Sequence, residues 1–181
     1  AAADGDTVLV TNGVYNTGGR AVHGIMTNRV AITNHIMVQS VNGPEFTFIV
    51  GAPCPTNNGW GAGAIRGVLM VTNSTLSGFT ITNGFTLGSA TWNESAGGGV
   101  FCQGTNAVIS NCVLTGNSAC YEGGGCVHGV LRDCRIEGNR AGVHGGGIGD
   151  YSTAYQCVLS GNHSGREGGG SSYCTLYSCA V

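Results

Sequence analysis

The chain has 181 residues, no lysine, three prolines and only 9% charged residues. An ordinary globular domain carries roughly 25%. Its seven cations are Arg20, Arg29, Arg66, Arg132, Arg135, Arg140 and Arg166, scattered along the sequence. No basic patch exists to hold nucleic acid or an acidic lipid surface. Carboxylates are equally sparse, with none closer in sequence than Asp4 and Asp6. That argues against clustered acids gathered around a calcium ion or paired for sugar cleavage. No apolar run approaches the roughly 18 residues of a membrane-spanning helix, so this segment is not expected to insert in a bilayer. A sustained 3.6-residue period is also missing, which excludes a helical bundle.

Glycine is abundant instead, at 34 residues, in a chain that is 41% hydrophobic. The glycines cluster and do not recur at every third position, so this is not collagen. Short strands and tight turns follow, because glycine disfavours helix interiors. The strand signals "TVLV", "FTFIV", "VLMV" and "FTI" are rich in β-branched and aromatic residues.

The glycine runs mark a repeat. Copies span 97–122, 123–144 and 145–167, and a fourth begins at 168; the complete copies are 26, 22 and 23 residues long. Each opens on GGG, and "CVLTGN", "CRIEGN" and "CVLSGN" recur within them. Weaker copies stand upstream in "GGRAVHG", "GAGAIRG" and "SGFTITNG". A period this short in β-like runs predicts a solenoid, whose rungs stack at about 4.8 Å. The LxxLxLxxN pattern of leucine-rich repeats has an echo in Ile109, Cys112, Leu114 and Asn117, and again in Leu131, Cys134, Ile136 and Asn139. That architecture needs a helix or 3-10 turn in its second half, where this chain has GGG and strand-like residues. The expected fold is therefore all-β: a right-handed parallel β-helix with coils of about 22 residues.

These GGG and GN repeats, clearest over 97–181, resemble the right-handed parallel β-helix proteins of the pectin-lyase-like superfamily. The alternation is similar to the GGA[ILV]…FxxN repeats of polymorphic outer-membrane autotransporters, with cysteine where that motif has phenylalanine. The resemblance implies a scaffold and carries no active-site motif. The expected layout is one domain over 1–181, with loops 52–60 and 85–96 inserted between coils. The "AAADGDTVLV" opening and the partial last copy suggest a processed form or part of a longer chain.

In-register stacking places like residues in columns. Cys112, Cys134, Cys157 and Cys179, with Phe79 upstream, form one; Leu114, Ile136 and Leu159 form another two residues on, facing the same core. The cysteines are expected to act as small buried hydrophobes. No zinc spacing is present, and parallel side chains fit disulfide dihedrals poorly. A disulfide among Cys54, Cys102, Cys120, Cys126 and Cys174 stays open. Asn117, Asn139 and Asn162 mark a turn, where asparagine adopts left-handed geometry or hydrogen-bonds along the stack.

Aligned on the glycine runs, His23, Arg66, Cys102, His128, Asp150 and Tyr173 form a polar stripe, with Val22, Ile65, Phe101, Val127, Gly149 and Ser172 one position earlier. Alternation predicts the apolar column inside and the polar one outside. Trp60 and Trp92 stand in the two loops that precede this strand. Rings beside such polar groups suit a sugar chain. Glu122, His144 and Glu167 are expected to form a solvated edge. Cys102, His128 and Asp150 make a loose nucleophile–base–acid set that no surrounding signature supports.

The function expected is a non-catalytic extracellular or cell-surface scaffold of bacterial type: a stalk, adhesin segment or self-stacking filament subunit that pairs end to end through open strand edges. The alternative is a carbohydrate-binding or polysaccharide-degrading protein, a lyase or glycoside hydrolase. No cofactor or metal is expected.

Overall fold

Short β-branched runs cut off by glycine and asparagine are too brief for helices, and they pair as strands of two to six residues. The computed structural model describes residues 2–88 and 91–181. Among them, helix is confined to a 3-10 turn at Asn57–Gly59 and one α turn at Trp92–Ser95, one in each inserted loop.

The strands form four sheets. Sheet A holds Thr7–Val10, Met37–Ser40, Thr75–Ser77, Val108–Ser110, Val130–Arg132, Thr153–Tyr155 and Thr175–Tyr177, side by side in that order. Sheet B orders Gly13–Tyr15, Thr47–Val50, Thr80–Thr82, Val113–Thr115, Arg135–Glu137 and Val158–Ser160. Sheet C runs Ile148–Gly149, Cys126–Val127, Val100–Cys102, Ile65–Met70, Thr27–Ile32 and Arg20–Ala21. Sheet D has Ser118–Ala119, Arg140–Ala141 and His163–Ser164. Every strand pairing is parallel except that of Arg20–Ala21 with Thr27–Ile32.

From Val100 to Gly149 the chain visits C, A, B and D in turn, then repeats. Ile109 lies beside Leu131, Leu131 beside Ala154, and Ala154 beside Leu176, separations of 22, 23 and 22 residues. Sheets A, B and C therefore each send a ladder inward. Leu76, Ile109, Leu131 and Ala154 come from A; Ile49, Ile81, Leu114, Ile136 and Leu159 from B; Val68, Val100, Cys126 and Ile148 from C. All are at most 2% exposed. Each buried Leu or Ile contributes roughly 1.5–3 kcal/mol.

Cys112, Cys134 and Cys157 join that core behind Phe79, with Cys179 packed at its margin. The A-to-B corner explains them. The residue before each, Asn111, Asp133 or Gln156, takes a left-handed φ of 47°, 51° or 53°. The thiols of Cys112, Cys134 and Cys157 then donate across the corner to the carbonyls of Ser110, Arg132 and Tyr155 at 3.1, 3.2 and 3.2 Å. Burial pushes the Cys112 thiol up to about 11, so it stays protonated at neutral pH. All nine cysteines are free, including the five for which a pairing was open.

The glycine runs mark where neighbouring rungs touch. The first glycine of each, Gly97, Gly123, Gly145 and Gly168, turns the chain at a φ of 64°, 63°, 57° and 66°. The others, Gly170 apart, lie against backbone: a Cβ on Gly124 would stand 2.4 Å from the Arg140 carbonyl oxygen and 2.5 Å from that of Gly146. The asparagines beside them bond along the stack. Asn117 N–H and Nδ2 both donate to Asn139 Oδ1 at 3.0 Å, and Asn139 N–H and Nδ2 donate likewise to Asn162 Oδ1 at 3.0 Å. Left-handed geometry falls on the preceding Gly116, Gly138 and Gly161 (φ 62°, 61° and 60°).

An apolar cavity of about 400 Å³ opens among the first rungs, lined by residues such as Val8, Val30, Ile36, Val38 and Phe79. Among the described residues no acidic or basic side chain lines it, and it lies apart from the polar stripe.

Candidate functional site

The outer face of sheet C is covered. Leu69, Phe101 and Val127 pair in register there and bury against Ala96, Trp92 and Val22, so the 85–96 loop and the hairpin after Arg20 lie over them. This reverses the expected faces. Phe101 and Val127 point outward under that cover, whereas Cys102 points into the main core and is 0% exposed.

Arg66 is the second correction. Its strand is six residues long, and Met70 is the partner of Cys102. Arg66 itself pairs with Asn28 and is 1% exposed. Its guanidinium donates to the carbonyls of Gly97, Asn93 and Ala96 at 2.9, 2.6 and 2.8 Å and to Asn28 Oδ1 at 3.1 Å, and lies 4.6 Å from the Phe101 ring centre. Burial lowers it to about 9, so it remains charged at neutral pH. A buried cation saturated by carbonyls fastens the loop and presents nothing to solvent.

His23 is exposed in the bend between Arg20–Ala21 and Thr27–Ile32, apart from the stacked rungs. Trp60 lies against sheet D. Its indole donates to Ser118 Oγ at 3.0 Å, and the Arg140 guanidinium stands 5.5 Å from its ring centre. The two tryptophans thus sit on different sheets.

The rest of the stripe comes together. Trp92 is 5.0 Å from His128 between ring centres, and His128 is 6.3 Å from Tyr151. His128 Nδ1 donates to the Cys102 carbonyl at 3.2 Å, which leaves Nε2 facing Asp150 Oδ2 at 3.5 Å, an ion pair whenever the ring is protonated. The Cys102 thiol lies on the opposite face of the sheet, so the cysteine–histidine–aspartate set does not assemble. The third coil is one residue longer, which makes Tyr151, and not Asp150, the rung partner of Tyr173: its N–H donates to the Tyr173 carbonyl at 3.0 Å.

Glu122, His144 and Glu167 bridge in register at the entrance to sheet C. The solvated edge expected there holds for Glu167, whose side chain is 70% exposed, but Glu122 is 5% exposed. Its side chain lies over Gly149, and its Oε1 accepts the Asp150 N–H at 2.9 Å. Burial and the Asp150 charge push its carboxyl up. A raised folded-state value gives stability that is complete at acid pH and lost as pH rises through it. Glu122→Gln is therefore expected to flatten that loss. Melting temperatures of the two proteins from pH 4 to 8 should diverge in favour of the variant as pH rises. An offset constant across the range would contradict it.

Sequence reasoning missed the buried Glu122 and the Tyr151 register. The second was readable by aligning copies on both GGG and the following cysteine, which exposes the extra residue in "GGGIGDYSTAYQC". Comparison with protein-family models, curated proteins and solved structures finds no match.

Proposed function

We propose that the chain is a right-handed parallel β-helix of the pectin-lyase-like kind, with coils of about 22 residues. Its role is that of a non-catalytic stalk, adhesin segment or filament subunit at a bacterial cell surface. The observation that supports this is the register of glycine, asparagine and cysteine repeated over the rungs from Gly97 onward. Such repetition makes each rung the support of the next and extends in one dimension. Electron microscopy of the purified chain should show narrow rods, joining end to end at higher concentration whether or not sugar is added. Round particles at every concentration would remove the reading.

A second reading is favoured by the line of rings from Trp92 through His128 to Tyr151, with Asp150 beside it. Rings with acceptors alongside suit contact with a glycan. Cleavage of the sugar has less support, because Glu122, the carboxyl nearest Asp150 in this network, is buried.

A further inference from the structure

The C-to-A corner is left-handed in four rungs, and its residue changes from Asn73 to His128, Tyr151 and Tyr173, with φ of 55°, 59°, 52° and 52°. Glycine and asparagine adopt this conformation most easily, whereas a bulky side chain there is strained. A ring held at such a corner for the sake of the fold would be buried. Tyr151 and Tyr173 are 68% and 72% exposed. Strained backbone under large, uncovered side chains is the pattern of a recognition site.

We propose that Tyr151 and Tyr173 are a contact site for a neutral, linear glycan, an inference that rests on the second reading above. The ligand class follows from shape and charge. The Tyr151 ring continues the line of Trp92 and His128, with centre distances of 5.0 and 6.3 Å for the two steps, and Tyr173 stands on the next rung, where its carbonyl accepts the Tyr151 N–H at 3.0 Å. An extended chain of sugar rings can lay its apolar faces along such a line, where a single compact molecule would meet only one ring. Polar groups flank it: Asp150 beside His128, and His144 6.4 Å from the Tyr173 ring and 3.9 Å from Glu167. The carboxylates accept hydrogen bonds from sugar hydroxyls and repel a polyanion.

The test is titration calorimetry of the chain with cellohexaose, xylohexaose, mannohexaose and hexagalacturonate, beside thermal melting, for the wild type and the double variant Tyr151→Asn/Tyr173→Asn. The wild type should bind at least one neutral hexasaccharide and not the acidic one. The variant should bind about ten-fold more weakly or worse, the scale of lost ring stacking. It should also melt no lower than the wild type, because asparagine suits the corner. A merely structural role for the rings predicts the opposite on melting, and a lower melting temperature overturns the proposal. Equal binding by variant and wild type overturns it too, while leaving a glycan site elsewhere on the stripe. A wild type that binds none of the neutral probes, or prefers the acidic one, removes both the proposal and the reading beneath it.

Discussion

Gly124→Ala is expected to cost at least about 4 kcal/mol, the range in which point changes are rare and diagnostic, and to leave little folded protein. The added methyl would sit 2.4 Å from the Arg140 carbonyl oxygen and 2.5 Å from that of Gly146. Both contacts are backbone, so no side chain can swing aside. Relief requires shifting the Arg140 backbone within the same coil and separating the next rung, with which this place also exchanges a hydrogen bond, Gly124 N–H donating to the Gly145 carbonyl at 3.2 Å. A domain of this size has only about 5–15 kcal/mol to lose. Gly138→Ala is the control. Gly138 has a φ of 61° and nothing within 4 Å of a built Cβ, so it should lose only the left-handed preference, about 1 kcal/mol. Urea unfolding of both variants separates close approach from backbone freedom. Equal, small losses would mean that the glycine runs do not lie against one another.

That contrast shows why part of the fold was legible and part was not. Ladders built from one residue class in every rung, such as Leu114, Ile136 and Leu159, declare their face through periodicity alone. Each is in register with the next. Sheet C defeated the same logic because it is buried on both faces: Val100 and Cys102 on one side, Phe101 on the other. Alternation locates an inward face only where the other face is wet. The covering residues Trp92 and Val22 are distant in sequence, and the cover comes from the antiparallel pairing of Arg20–Ala21 with Thr27–Ile32 and from an inserted loop, neither of which repeats. Arg66 followed from the same gap. Counting from "GAG" is four residues out of step, because Ile65–Met70 begins before its neighbour Val100–Cys102 and pairs through Val68. Of the stripe, His128 and Tyr173 remained at outer corners, and the extra residue of the third coil exchanged Tyr151 for Asp150.

Asn139→Ala carries the other large effect, expected at about 3–5 kcal/mol from two buried groups left unpaired at roughly 1–3 kcal/mol each. Asn139 is 1% exposed, and so is Asn117 above it. Its Nδ2 donates to the Leu114 carbonyl at 2.8 Å, and its Oδ1 receives the Asn117 N–H at 3.0 Å. Alanine removes both and admits too little space for water to replace them. Aspartate does no better: it keeps an acceptor for Asn117, but it cannot donate to Leu114 and sets a charge against Asn162 Oδ1. Asn162→Ala should cost less, because Asn162 is only half-buried. The pair should also be non-additive, since Asn139 Nδ2 donates to Asn162 Oδ1 at 3.0 Å and the first truncation already breaks that bond. A double-mutant cycle in urea reads this directly. Losses that simply add, or a single-variant cost below about 1 kcal/mol for Asn139, would mean that the asparagines are independent turn residues and that the rungs are held together by their apolar ladders alone.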